Sequence, residues 1–119
     1  AVTLETHSTP HTEESLAIAV VHGTRRLVYT GDTGPSAALG EWARGCDLLL
    51  CECSLPDDEE TGIHLTPDGA GALARTADAG RLVLTHFYPQ VESVDPAALA
   101  GRTYGGETVA ARDGDRFTL

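Results

Sequence analysis

Five side chains in this sequence are suited to act together: His11, Asp32, Glu52, His64 and His86. Imidazole nitrogens and carboxylate oxygens are ordinary ligands of divalent cations, and they are also the usual proton donors and acceptors of hydrolysis. His86 closes the apolar run Leu82-Val83-Leu84-Thr85, and Asp32 follows Leu27-Val28-Tyr29-Thr30-Gly31. Each is expected where a strand gives way to a loop, the place where a rigid sheet presents functional groups. Gly31 permits a tight turn there, and the Thr33 hydroxyl can hold the loop that carries the Asp32 carboxylate. His11 precedes a candidate strand, and His64 lies in Gly62-Ile63-His64-Leu65-Thr66, just before a candidate helix. Taken singly, each has a plainer reading: Gly-Asp-Thr as a turn or helix cap, His86 as structural, His64 as a loop residue. His7 and His22 are read as surface residues, because Pro10 disfavours a helix joining His7 to His11 and Gly23 puts His22 at a hairpin tip.

The elements that must position these groups are legible as short runs rich in Val, Leu and Ile. Strands are expected at residues 2–6, 16–21, 26–30, 48–53, 82–85, 108–111 and 116–119, the last two forming a hairpin around Asp113-Gly114. A helix is expected over residues 36–44, between Pro35 and Gly45, and a second over 67–79, with Thr66 as N-cap, Pro67 in the first turn and Gly80 as its end. A short third helix, started by Pro96, is expected near residues 95–100. The order implies an α/β protein, a mixed β-sheet with helices on one face. Nothing in the chain is left to cover the other face, and an apolar sheet face of that size calls for a partner surface.

At 119 residues the chain is long enough for one packed unit with a real core, and it contains no internal repeat. Eighteen acidic against eight basic residues give a net charge of −10 without any Lys/Arg cluster, which argues against nucleic-acid binding. No apolar run approaches the ~20 residues of a membrane helix, so neither a span nor a signal peptide is expected. Cys46, Cys51 and Cys53 are odd in number and close together, which points to free thiols in a reducing cytoplasm and to small buried hydrophobes. A thiol-based redox or metal-sensing site is the competing reading of these three. The chain starts at Ala1 and contains no Met, which suggests a processed product or a fragment.

Five motifs in order carry a resemblance: His11 before a strand, Tyr-Thr-Gly-Asp-Thr at 29–33, Asp-Leu-Leu-Leu-Cys-Glu-Cys at 47–53, His-Leu-Thr at 64–66, and Leu-Val-Leu-Thr-His at 82–86. Together they resemble the C-terminal half of the metallo-β-lactamase-fold hydrolases, most closely the ribonuclease Z-like branch. The resemblance implies that residues 1–119 are one half of an αββα sandwich. It implies two divalent metal ions, zinc by preference with manganese as an alternative, held by His11, Asp32 and His86, with Asp32 bridging the pair. It makes His64 the proton donor to the leaving group and Glu52 its orienting partner, in a reaction where hydroxide generated by the metals attacks phosphorus. The family's His-x-His-x-Asp-His cluster is absent from this sequence, and Cys51, Ser54 and Leu65 stand where the family has His, Thr and Ser.

Three classes of function follow. The first is a fragment of a dinuclear metal-dependent hydrolase, phosphodiesterase-like, the isolated chain being inactive because it supplies too few ligands. Lactone, sulfate-ester or thioester hydrolysis by the same fold stays open, as does a small-molecule substrate. The second is a non-catalytic half-domain that self-associates, a homodimer through the bare sheet face; the partner is thus either the missing N-terminal half or a second copy of this chain. The third is the thiol protein. Loss of metal response on mutating Asp32 and His86, but not the cysteines, separates it from the first.

Overall fold

A computed structural model describes all 119 residues. Six strands form a single sheet in sequence order: β1 (Val2–Ser8), β2 (Leu16–His22), β3 (Arg25–Tyr29), β4 (Leu48–Glu52), β5 (Leu82–Thr85) and β6 (Thr108–Ala110). β1, β2 and β3 pair antiparallel, and β3 to β6 pair parallel. Parallel neighbours need crossovers, which the helices supply. These are α1 (Ala37–Trp42), α2 (Pro67–Thr76) and α3 (Pro96–Tyr104), the α/β arrangement anticipated from the strand and helix signals.

Local chemistry explains where each helix starts. Ser36 Oγ accepts the Leu39 amide, Thr66 Oγ1 accepts that of Gly69, and Asp95 accepts that of Ala98, each satisfying an amide that the first turn cannot. α3 runs on to Tyr104, beyond the short helix expected, and stops at Gly105, which adopts the left-handed conformation. α2 is shorter than expected, because Ala77 caps it and Asp78 turns left-handed ahead of Gly80.

All three helices lie on one face. Alternate strand residues Ala17, Ala19, Val28, Leu49, Cys51, Leu82 and Leu84 join Leu39, Leu65, Leu73 and Ala74 in one core. α2 and α3 meet closely at Gly71, where an added Cβ would stand 2.4 Å from the Ala100 carbonyl oxygen. On the opposite face the register aligns Leu4 with Val20 and Leu27, and Ile18 with Thr6 and Tyr29. There Leu4 is 66% and Ile18 39% exposed, so the apolar face is bare at this end of the sheet.

One expectation is corrected. The turn at Asp113-Gly114 forms, with the Asp115 amide bonded to the Arg112 carbonyl, but residues 116–119 are not a strand. β6 is only three residues long, so it offers little template for a returning partner, and the chain end instead lies beside Leu48, Arg81 and Glu107.

Candidate metal centre and proton-transfer site

Because β1 is antiparallel to β2 and β2 to β3, the chain leaves β1, β3, β4 and β5 at the same rim of the sheet. His11 follows β1, Asp32 follows β3, Glu52 is the last residue of β4 and His86 follows β5. The topology thus brings residues up to 75 positions apart in the sequence onto one edge. All five candidate residues meet there, His64 entering from the loop that leads into α2.

The loop carrying Asp32 is tied down on three sides. Thr9 Oγ1 donates to the Asp32 carbonyl (2.8 Å), the Gly34 amide to the Pro10 carbonyl (2.8 Å), and the Thr33 amide to Glu52 Oε1 (3.0 Å). Two glycines make this possible. Gly31 has φ +57° with the Leu16 carbonyl oxygen 2.7 Å from where a Cβ would be, and at Gly34 a Cβ would collide with the Gly62 carbonyl oxygen at 1.8 Å. The second contact lays the Asp32 loop directly against the backbone that bears His64.

Each oxygen of Asp32 faces a different imidazole. Oδ2 lies 3.5 Å from His11 Nε2, and Oδ1 lies 3.6 Å from His86 Nε2. These gaps exceed the ~2.7–2.9 Å of a charge-assisted hydrogen bond. They match the edge of a tetrahedral ligand set, about 3.4 Å for bonds of about 2.0–2.2 Å. The other nitrogen of each ring is held: His11 Nδ1 by the Ile63 carbonyl (2.8 Å) and His86 Nδ1 by Ser54 Oγ (2.8 Å). Since a carbonyl only accepts, His11 Nδ1 carries a proton, and in the neutral ring it is the Nε2 lone pair that faces Asp32. A lone pair facing a carboxylate oxygen is repulsive unless a cation lies between them. The donor set therefore fits divalent metal, with one ring and one carboxylate oxygen on either side of Asp32.

The field favours cations as well. Burial, then the Asp32 and Glu52 carboxylates, pushes the neighbouring Tyr29 phenol above its ordinary range. His86 has φ +60°, a conformation costing a non-glycine residue about 1–3 kcal/mol, so the surrounding bonds hold it against strain.

Glu52 is completely buried and fully engaged. Oε1 accepts from Thr33 N and lies 2.7 Å from His64 Nδ1; Oε2 accepts from Ser54 N (3.2 Å), Ser54 Oγ (2.8 Å) and Leu65 N (3.0 Å). By mutual distance alone, Asp32, Glu52, His64 and His86 form the tightest ligand-like group, within 4.8 Å. Glu52 has no free lone pair directed outward, however, and Nδ1 of His64 is spent on it. The pair is better suited to proton transfer than to ligation, which leaves Asp32, His11 and His86 as the candidate metal ligands. The His64 ring lies 4.9 Å from that of His11 and 5.8 Å from that of His86.

The site is open. His86 and Asp32 side chains are 38% and 37% exposed, because Phe87 packs against the core and Tyr88 alone leans over the site. Tyr88 Oη lies 3.1 Å from His64 Nε2. Tyr88 and Ser54 are the site residues absent from the sequence candidates; Ser54 is marked there only as the position where the family has Thr, and the signal for Tyr88 is its proximity to His86 in the chain.

The cysteines lie elsewhere. All three are free and buried. Burial pushes Cys46 up to about 11 and Cys53 up to about 12, and Cys51 well above the ordinary thiol range. Buried thiols held in the protonated form are poor nucleophiles and poor ligands, which weighs against the thiol reading.

Residues 1–87 match the family described as "Beta-lactamase superfamily domain". The chain is 39% identical to the ribonuclease Z of Myxococcus xanthus (strain DK1622) over 125 residues, which cover 99% of this chain and 39% of that protein. It is 34% identical over 112 residues to an uncharacterized protein of Mycobacterium leprae (strain TN), covering 92% of this chain and 39% of that one. Its backbone superposes on the crystal structure of the metallo-beta-lactamase fold protein YhfI from Bacillus subtilis with a TM-score of 0.88 and 27% identity, covering 96% of this chain and 48% of that one. This chain thus spans about two fifths of the length of these curated relatives.

Proposed function

This chain belongs to the beta-lactamase superfamily, in its ribonuclease Z-like branch, and on that premise we propose that residues 1–119 are the C-terminal half of a metal-dependent, phosphodiesterase-like hydrolase domain. One observation carries the reading: the two oxygens of Asp32 face two different imidazole Nε2 atoms at ligand-edge spacing. Asp32, His11 and His86 would hold the divalent cations, zinc or manganese, with His11 Nε2 on one side of the Asp32 carboxylate and His86 Nε2 on the other. When bound, such cations supply Lewis-acid stabilisation of phosphoryl charge and an activated water at neutral pH.

The chain's own residues do the rest. His64 offers its Nε2 side to the leaving oxygen, and the buried Glu52 carboxylate fixes the ring through Nδ1 and stabilises the positive charge the ring carries while it holds the proton. The loops at 31–34 and 62–64, in close backbone contact at Gly34 and Gly62, keep this donor beside the proposed metal ligands. Three protein ligands are too few to hold two metals tightly, and the upstream half would supply the others. It would also cover the bare sheet face, completing an αββα sandwich. A second copy of the chain on that face is the alternative occupant.

The net charge of −10 supports a small phosphodiester over structured RNA as substrate, and the free thiols support a reducing compartment. No helix is long and apolar enough to cross a membrane. Turnover of bis-p-nitrophenyl phosphate with added Zn²⁺ or Mn²⁺ tests the reading. The protein carrying both halves should turn it over and the 119 residues alone should not; a full-length protein that binds metal but hydrolyses no phosphodiester would move the assignment to lactone, sulfate-ester or thioester substrates.

A further inference from the structure

Ser54 touches both halves of the site. It is completely buried, its amide bonds to the Leu65 carbonyl and Glu52 Oε2, and its carbonyl accepts the Tyr88 amide. That leaves the hydroxyl, which lies 2.8 Å from Glu52 Oε2 and 2.8 Å from His86 Nδ1. A hydroxyl has one proton, so it donates to only one of them.

The amides decide which. Glu52 Oε2 already accepts two backbone N–H groups, those of Ser54 and Leu65, which can never do otherwise than donate. An oxygen so held is an acceptor, and Ser54 places its proton there. The remaining contact works only if His86 Nδ1 donates to Ser54 Oγ. In the neutral ring the proton of His86 is then fixed on Nδ1 and its Nε2 lone pair is aimed at Asp32 Oδ1, the same arrangement the Ile63 carbonyl imposes on neutral His11 from the other side.

We infer that Ser54 is a positioning residue, the relay through which the buried Glu52 carboxylate sets the tautomer and direction of His86. One carboxylate thereby orients two rings, His64 directly through Oε1 and His86 through the Ser54 hydroxyl on Oε2. His86 lies just past the end of β5 with φ +60°, so its ring is held by contacts such as this one and not by a regular element. The use of the relay in catalysis rests on the proposed function, but its existence does not.

Long-range ¹H–¹⁵N correlation of the imidazoles in the ¹⁵N-labelled, metal-free chain, under conditions where the rings are neutral, tests the inference. Protonated Nδ1 and bare Nε2 are expected for His86. In Ser54→Ala the His86 pattern should shift to protonated Nε2 or to an average of both, while His64 keeps its pattern; Ser54→Thr, which retains the hydroxyl, should restore the wild-type pattern. Protonated Nε2 on His86 in the wild-type chain overturns the relay without any variant having to fold, and so does an unchanged pattern in Ser54→Ala. If the tautomers are as expected and the protein carrying both halves binds no divalent metal, the relay stands and the hydrolase reading falls.

Discussion

Glu52 Oε1 sits 2.7 Å from Nδ1 of His64, with the carboxylate side chain 1% and the ring 9% exposed. So buried a carboxylate is tolerated only because every lone-pair direction is filled, three of its five donors being backbone amides from three segments of the chain. The pair is therefore both a chemical unit and the knot that ties the loops at 33, 54 and 65 together.

Replacing Glu52 by Gln keeps the shape and removes the charge, but it turns an NH₂ group against donors that cannot reverse. Glu52→Gln should lower the unfolding free energy by about 3 kcal/mol. Urea denaturation followed by circular dichroism measures this, and a change within a few tenths of a kcal/mol would show that the carboxylate is not the knot described.

His64 and Asp32 separate the two functions of the site. In the protein carrying both halves, His64→Ala should cut the phosphodiester hydrolysis rate about 10²- to 10⁴-fold, the usual worth of a positioned proton donor, while metal content stays near wild type. Asp32→Ala should lower both rate and bound metal. Metal analysis beside the kinetics distinguishes the two patterns.

The buried thiols predict slow chemistry and a defined alkaline weakness. Native protein should react with a thiol reagent at none of its three cysteines on the timescale that labels the unfolded chain completely. The folded state keeps these groups protonated to about 11 for Cys46 and about 12 for Cys53. The unfolded chain releases the same protons from about pH 8.5 upward. Stability is thus fully present below that pH and declines as pH rises through the folded values. Urea midpoints measured from neutral to strongly alkaline pH check the sign.

The bare face of the sheet makes a further expectation. With Leu4 66%, Val2 61% and Ile18 39% exposed on neighbouring strands, the isolated chain should self-associate at tens of micromolar in sedimentation. Leu4→Asp with Ile18→Asp should return it to a monomer without unfolding it, since neither side chain belongs to the helix-side core.

The strands were legible because burial on one face leaves an alternating or continuous apolar run, as in Leu48 to Glu52, and the helices because Ser36, Thr66 and Asp95 announce their own starts. The end of the chain misled: residues 116–119 have strand-like composition, yet pairing is decided by the neighbour, and a three-residue β6 offers too little edge. Individual motifs gave the metal-ligand candidates, and their order gave the convergence. Ser54 and Tyr88 escaped because a hydroxyl's role depends on what lies within 3 Å of it in space, which spacing along the chain does not encode.

That Asp32 would bridge two cations is the central claim of the proposed function, and zinc-edge anomalous scattering from crystals grown with excess Zn²⁺ tests it most directly. Density is expected on both sides of the Asp32 carboxylate, one peak toward His11 Nε2 and one toward His86 Nε2, with Glu52 still bonded to His64 and Ser54. Zinc bound through Glu52, or only at sites remote from Asp32, would contradict the account.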